Sequence, residues 1–138
     1  MITGANFCKR LLRDAGIEAC VVSGPENAYV PGEQLIVLRP HCHGGTTVRQ
    51  LTLAAHEVGH AAQHATIGWL APALRWLLPG RLWLEWDASQ RARQMMGAQE
   101  RVACEEALAE SWRGYLVPAI WQVAAMMGVL IFAVMRRG

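Results

Sequence analysis

Residues 54–62 read AAHEVGHAA, and this stretch decides the interpretation of the whole chain. In a helix of 3.6 residues per turn, His56 and His60 lie on nearly the same face, so their imidazoles can bind one zinc ion. Glu57 follows His56 directly and projects to the side, where its carboxylate can take a proton from a zinc-activated water. The spacing therefore predicts a catalytic helix in which His56 and His60 bind zinc and Glu57 is the general base.

A catalytic zinc usually has three protein ligands and one open position, so the chain must supply a third ligand. Glu85 is the candidate because it begins a second predicted helix that carries small residues at helical spacing. Those residues form a smooth face that would let this helix pack closely on the first: Ala88, Ser89 and Ala92. The prediction is one Zn²⁺ per chain, bound by His56, His60 and Glu85.

Asp87 and His64 are the two rivals for the third position. Asp87 lies about 200° of helix rotation from Glu85, and His64 lies about 12 Å along the helix from His56, too far for a shared ion. His64 is expected instead to support a ligand or to face the substrate. The oxyanion of the reaction also needs a hydrogen-bonding group. Four residues are candidates for these supporting roles: His64, Ser89, Arg91 and Tyr115.

His41, Cys42 and His43 form another cluster of metal-binding residue types. Adjacent residues in an extended loop rarely converge on one ion, so we interpret the cluster as a polar loop over the active site. The cysteines include no CxxC pair, which favours reduced thiols that behave as small buried hydrophobic residues. They are Cys8, Cys20, Cys42 and Cys104.

The sequence predicts an α+β fold that is mainly helical with a small β-sheet. Amphipathic spacing predicts a helix over residues 7–15 that ends at Gly16, and residues 17–22 look extended. Thr47 with Gln50 fits a capping box at the start of the catalytic helix. Further helices are predicted over residues 84–96 and 99–113. A short apolar run predicts an edge strand with which a substrate peptide would pair: Leu35, Ile36, Val37 and Leu38.

The composition favours contact with a membrane. Hydrophobic residues make up 53% of the chain and charged residues 17%, and the net charge is only +2. No dense basic stripe is present, so nucleic acid is not an expected partner. Residues 115–135 carry no formal charge and are long enough for one membrane-spanning helix, followed by a short basic tail. The alternative is a buried core helix or a central helix of an oligomer.

Residues 67–86 hold four of the six tryptophans and are interrupted by Pro72, Pro79 and Gly80. An interfacial or re-entrant segment, with tryptophans at headgroup level, fits this pattern. A buried helical hairpin fits equally well, because spanning needs about 20 uninterrupted apolar residues. We therefore divide the chain into a metallopeptidase-like domain at residues 1–113, which includes this segment at 67–84, and a membrane helix with its tail at residues 114–138.

Two runs together resemble a known family: AAHEVGHAAQHA at residues 54–65 and LEWDASQRA at residues 84–92. They are similar to the AAHExGHAxQHA and EFNASRRA helices of the YugP-type neutral zinc metallopeptidases, zincin-like proteins of bacterial membranes. The resemblance implies that His56 and His60 bind zinc, that Glu57 is the catalytic glutamate, and that Glu85 is the glutamate of the second helix. It also implies the bacterial inner membrane as the location.

The chain departs from the family pattern in a few places. It resembles a minimal version, without the family's first membrane helix and with only a short segment between the two motifs. Asp87 and Gln90 stand where the family usually has Asn and Arg. No signal sequence opens the chain, so the catalytic domain is expected on the cytoplasmic side. An accessory membrane protein or a second copy of the chain is a candidate partner.

The function predicted from the sequence is that of a membrane-associated zinc metalloendopeptidase acting on peptide or protein substrates. Two alternatives stay open at this stage. One is a catalytically silent zinc-binding scaffold in the membrane, although a structural zinc site would not need Glu57. The other is a soluble oligomeric zinc peptidase in which residues 115–135 join the subunits.

Overall fold

The computed structural model describes residues 1–136, without the side chains of Pro72 and Ser111. Arg137 and Gly138 of the predicted basic tail lie outside the described residues. The helices are α1 (Gly4–Asp14), α2 (Pro40–His43), α3 (Val48–Ile67), α4 (Ala71–Arg75), α5 (Leu78–Met95) and α6 (Ala98–Met135). The strands are β1 (Cys20–Ser23), β2 (Ala28–Val30) and β3 (Leu35–Leu38). The predicted fold class, mainly helical with a small sheet and a C-terminal apolar helix, is confirmed.

The sheet has three strands in the order β1-β3-β2. β3 pairs in parallel with β1 on one side and antiparallel with β2 on the other. Because both edges of β3 are already paired, the prediction that it is an edge strand free to bind a peptide is wrong. The correction applies to all four residues of the predicted substrate strand: Leu35, Ile36, Val37 and Leu38. β2, which is only three residues long, is the strand at the edge near α3.

The starts and ends of the first helices follow local sequence signals. Thr3 caps α1 by accepting a hydrogen bond from the backbone N–H of Asn6, and Gly16 follows the helix with a φ of +66°. Glycine adopts that left-handed conformation without strain, which explains the predicted ending. At α3, Thr47 and Gln50 form the predicted capping box.

α3 is the central helix of the domain. One side packs on α1, α2 and the sheet, and the other packs on α5 and α6. Small residues on α3, among them Ala54, Ala55 and Ala61, are fully or almost fully buried and allow neighbouring backbones to approach. The four largest fully buried side chains come from α1 and β3: Phe7, Leu11, Ile36 and Leu38. The helix that carries the candidate ligands is therefore held from both sides.

The tryptophan-rich segment folds as a helical hairpin made of α4 and the start of α5. Gly80 lies directly against the carbonyl of Leu74, and the backbone N–H of Leu78 donates a hydrogen bond to Gln122 Oε1 at 2.6 Å. α5 begins at Leu78, six residues before the predicted start. Trp69 and Trp76 face outward and are 82% and 87% exposed, so this segment is not the buried hairpin of the alternative. Its contact with the membrane interface stays a prediction.

α6 is one continuous helix of 38 residues, although the sequence predicted two. It passes through Gly114 and Pro118 without a break, and at 1.5 Å per residue it is about 57 Å long. From Val123 onward its large apolar side chains are about half exposed or more. By length and composition, α6 is the one helix among the described residues that could cross a bilayer.

Candidate metal centre

Three side chains from two helices converge on one point. The Nε2 atom of His56 lies 3.0 Å from Oε2 of Glu85, and Nε2 of His60 lies 3.5 Å from the same oxygen. The ligand atoms of all three residues lie within 4.8 Å of one another. Among residues 1–136 this is the one such cluster of His, Cys, Asp and Glu side chains. The structure thus brings together the three residues predicted as ligands.

Close packing of α5 on α3 brings Glu85 to the histidines. Gly59 lies between the two histidines on α3, and a methyl group there would overlap the carbonyl oxygen of Ala88. On the α5 side, Ala88, Ser89 and Ala92 are at most 2% exposed, as predicted for the small face. Any larger side chain at this contact would hold the Glu85 carboxylate away from the imidazoles.

Ser89 contacts His56 from behind. Its Oγ lies 3.2 Å from Nδ1 of His56 and donates a hydrogen bond to the carbonyl of Glu85 at 2.9 Å. Because that donation uses the hydroxyl proton, Oγ is left to accept from an Nδ1–H of His56. This tautomer leaves the Nε2 lone pair directed at the metal position. Ser89 therefore contacts His56, a candidate metal ligand, in a position from which it could orient the ring.

Gln63 has the corresponding contact with His60. This role was not predicted from the sequence, although the family motif AAHExGHAxQHA has a glutamine at this position. Gln63 Nε2 donates hydrogen bonds to the carbonyl of Leu84 and to Oδ2 of Asp87, each at 2.9 Å. Both donors face α5, so Oε1 is left facing Nδ1 of His60 at 3.3 Å. An oxygen there accepts from Nδ1–H, which again leaves Nε2 free for a metal.

Arg91 and Asp87 stand one layer behind Gln63. Arg91 Nε donates to Oδ2 of Asp87 at 2.7 Å, and its NH1 group reaches the carbonyl of Ala62 at 3.4 Å. Asp87 thus holds Gln63 and is not a member of the ligand cluster. Arg91 is engaged by these contacts and does not line the cavity at the metal position. Its expected place beside the oxyanion is therefore not what the structure shows.

The donor set fits a catalytic zinc ion: two imidazoles and one carboxylate, oriented by contacts behind them. Burial raises the pKa of Glu85, but hydrogen bonds from His56 and His60, whose Nε2 atoms carry protons when no metal is bound, outweigh it and hold the pKa at about 2. Burial lowers the pKa of His60, but its hydrogen bond to Glu85 and that carboxylate's charge outweigh it and raise the pKa. Glu85 is thus anionic at neutral pH, as a metal ligand must be.

Glu57 lies beside the ligands and is 7% exposed. Burial raises the pKa of its carboxyl above the ordinary value, and the neighbouring Glu85 acts in the same direction. His56, His60 and a hydrogen bond from the backbone N–H of Tyr29 act in the opposite direction but do not cancel the rise. A carboxyl with a raised pKa accepts a proton more readily than an ordinary glutamate, which suits a group that takes up and passes on protons.

These groups open into a cavity of about 600 Å³. β2 and the residues before it form one wall, from Glu26 to Tyr29. Arg75, Arg81 and Tyr115 form another wall, and the Arg81 guanidinium lies 5.5 Å from the centre of the Tyr115 ring. Tyr115 was predicted near the site. Arg75 and Arg81 were not predicted near the site, because the sequence of residues 67–86 did not show which side chains of this segment face the metal position.

Two further predictions concern histidines outside the cluster. The His64 ring packs against Tyr29, with 5.8 Å between ring centres, and lines a second cavity that adjoins the first. His41, Cys42 and His43 were interpreted as a loop over the active site, but they form the short helix α2 and do not line the cavity. Cys42 is fully buried and receives a hydrogen bond from Asn27 at 3.5 Å.

The comparison with known families agrees with this geometry. Residues 1–76 match the model of a family described as "Putative neutral zinc metallopeptidase". The matched part is just over half of the 138 residues and includes His56, Glu57 and His60, but it ends before Glu85. No curated protein and no solved structure matches the chain. The assignment of Glu85 as a candidate ligand therefore depends on the structure and on the second sequence motif.

Proposed function

This chain belongs to the neutral zinc metallopeptidase family, and from this we propose that it hydrolyses peptide bonds as a membrane-associated metalloendopeptidase. In the proposal, His56, His60 and Glu85 hold one zinc ion and Glu57 is the general base. The observation that carries it is the convergence of the three ligand atoms within 4.8 Å, beside a glutamate of the same cavity.

When bound, zinc supplies a Lewis acid that polarises a carbonyl group and lowers the pKa of water. The chain supplies the movement of protons. Glu57 takes a proton from the attacking water as its oxygen adds to the scissile carbonyl, and passes a proton to the leaving amine. Burial raises the pKa of its carboxyl, which makes return of the proton easier than from an ordinary glutamic acid.

β2 replaces β3 as the proposed binding strand for the substrate backbone. It lies at the edge of the sheet, and Ala28 and Tyr29 line the cavity that contains the metal ligands. An extended peptide can add to such an edge through main-chain hydrogen bonds, and here it would have to share or displace the bond from the Tyr29 N–H to Glu57. The scissile carbonyl would then lie between this strand and α3, opposite Glu57.

Donors for the oxyanion are proposed on the opposite wall of the cavity. Arg75, Arg81 and Tyr115 all line it, whereas Arg91 is held by Asp87 and the carbonyl of Ala62. A positive or hydrogen-bonding side chain in this position stabilises the negative charge that develops on the carbonyl oxygen. Of the residues proposed from the sequence, Tyr115 remains a candidate, and the two arginines join it.

We also propose that the second half of α6 spans the bacterial inner membrane, with residues 1–113 on the cytoplasmic side. The exposed apolar surface beyond Gln122 supports this, because an 18-residue window of α6 has a mean hydropathy of 2.1 and is only 6% buried. Tyr115 lines the cavity and lies at the start of this apolar segment. The cavity would then open near the membrane surface, where protein substrates meet the bilayer.

The test is proteolysis by the purified, zinc-loaded full chain in detergent, with an unfolded protein as substrate. We expect Glu57→Gln to retain zinc and to lose at least about 100-fold in turnover, as removal of a general base usually does. Glu18→Gln is the matched control, because Glu18 is exposed on the surface. Equal proteolysis by wild type and Glu57→Gln would contradict the mechanism. A zinc-loaded wild type without any activity would favour the scaffold alternative.

A further inference from the structure

The cavity at the metal position continues into a second cavity of about 350 Å³. The two cavities share four wall residues, Tyr29, His60, Gln63 and Arg75. His60 is a candidate metal ligand, and Gln63 holds it in place. A chemical group bound in the second cavity would therefore lie next to the reacting atoms.

The two cavities differ in chemistry. The first contains three carboxylates, from Glu26, Glu57 and Glu85, whereas the second contains none among its described wall residues. Apart from the shared residues, its walls are Pro31, His64, Gly68, Ala71 and Trp76. Arg75, the one arginine among the described wall residues of the second cavity, also belongs to the first cavity. The second cavity thus presents rings and small apolar groups.

The shape of the second cavity is set by three structural elements. Tyr29 and Pro31 come from β2 and the turn that follows it, His64 comes from the last turn of α3, and Ala71 and Trp76 come from α4 and its C-terminal end. The His64 ring packs on Tyr29 and so fixes the wall nearest the sheet. Trp76 is 87% exposed and forms the rim.

We propose that the second cavity is the specificity pocket of the enzyme, which accepts a large apolar side chain of the substrate residue beside the scissile bond. The proposal rests on the proposed peptidase function. It follows from the shared walls: with the backbone along β2 and the carbonyl at His56, His60 and Glu85, the neighbouring side chain faces a cavity without carboxylates. Cavities of about 300 Å³ and more commonly hold organic groups of this size.

The experiment compares peptides that differ at one position, Ala, Leu, Phe or Trp, next to a single cleavable bond. We expect the zinc-loaded full chain to prefer the large apolar residues over Ala by at least about tenfold in kcat/KM. Ala71→Phe should fill the pocket and abolish or invert the preference. Ala73→Phe is the matched control, because Ala73 lies on the same helix but is exposed and does not line the cavity.

Binding to Glu57→Gln gives a second measurement that does not depend on turnover. The affinities of this variant for the same peptides should follow the same order as kcat/KM. Adding Trp76→Ala to this variant opens the rim of the pocket and should reduce the difference in affinity between the Phe and Ala peptides. Cleavage with equal kcat/KM for all peptides would overturn the pocket while leaving the peptidase function intact. Selective binding without any cleavage by wild type would keep the pocket and contradict the peptidase function.

Discussion

Gly59 of α3 and Ala88 of α5 touch backbone to backbone, with no room for a methyl group between them. This contact lies between His56 and His60 on one helix and faces the turn after Glu85 on the other. It therefore sets the distance between the third ligand and the first two. A site for one metal ion depends here on a residue that has no side chain.

Gly59→Ala is expected to lose most of its zinc while the chain still folds. The added methyl group overlaps the Ala88 carbonyl, so α5 must move outward at a cost of about 1–3 kcal/mol of stability. Zinc content and thermal unfolding measure the two effects. Gly114→Ala is the control, because nothing lies within 4 Å of the added group there. Full zinc content in Gly59→Ala would show that the helix contact does not set the ligand distance.

Gln63→Leu is expected to weaken zinc binding by about 10–100-fold without removing it, because contacts behind a ligand usually have that effect. The amide orients His60 and holds Asp87, and leucine does neither. Competition with a chelator of known affinity measures the change. Gln90→Leu on α5 is the matched control, since Gln90 lies outside the ligand cluster and these contacts. An unchanged zinc affinity in Gln63→Leu would show that Gln63 does not orient His60 for metal binding.

The ion pair between Arg10 and Glu100 gives a stability difference that depends on pH. Burial raises the pKa of Glu100, but hydrogen bonds from Arg10 and the N–H of Gly97 outweigh it, so the folded-state pKa lies below the ordinary 4.5. The pair therefore stabilises the fold above pH 4.5, and its contribution is lost as the pH falls through the folded-state pKa. The two side chains are 34% exposed, so water screens the pair and the effect stays below about 1 kcal/mol.

Thermal unfolding of wild type and Glu100→Gln at neutral and acidic pH measures the contribution of the Arg10–Glu100 ion pair to stability. Glutamine still accepts the N–H of Gly97 at the start of α6, so the substitution removes mainly the charge. The midpoint of Glu100→Gln should be slightly lower at pH 7 and equal to wild type at low pH. Asp14→Asn is the control, because the Arg13–Asp14 pair is 76% and 54% exposed. A difference between the midpoints of wild type and Glu100→Gln that persists or grows at low pH would show that the charge of Glu100 is not what stabilises the fold.

The full chain is expected to remain with the membranes after washes with high salt and alkaline carbonate, and to be released by detergent. The reason is the exposed apolar half of α6, since about 20 such residues match the hydrocarbon thickness of a bilayer. Recovery in the soluble fraction without detergent would favour the oligomer alternative. Protease protection in sealed vesicles tests the cytoplasmic placement of residues 1–113.

The parts of the structure that could be predicted from sequence are those with short-range signals. The four-residue spacing places His56 and His60 on one face, the Thr47–Gln50 pair marks the start of α3, and the small residues after Glu85 predict a close helix contact. In each case a few residues that are close in the sequence are enough to predict the local structure.

The features that were missed depend on partners distant in the chain. β2 has three residues, too few for a periodic pattern, and only its pairing shows that β3 is central. The role of Gln63 depends on its contacts with Leu84 and Asp87, which lie 21 and 24 residues further along the chain. The charge-free run at residues 115–135 was predicted as a helix separate from the one at 99–113, but α6 continues through both.

The zinc content of the purified protein tests the central claim most directly. Elemental analysis should be made of wild type beside His60→Ala and Glu85→Ala, with Asp87→Ala as the variant of the rejected rival. We expect about one zinc per chain in wild type, little in the first two variants, and a retained but weaker site in Asp87→Ala. Wild type without zinc, or Glu85→Ala with a full complement, would contradict the site formed by His56, His60 and Glu85.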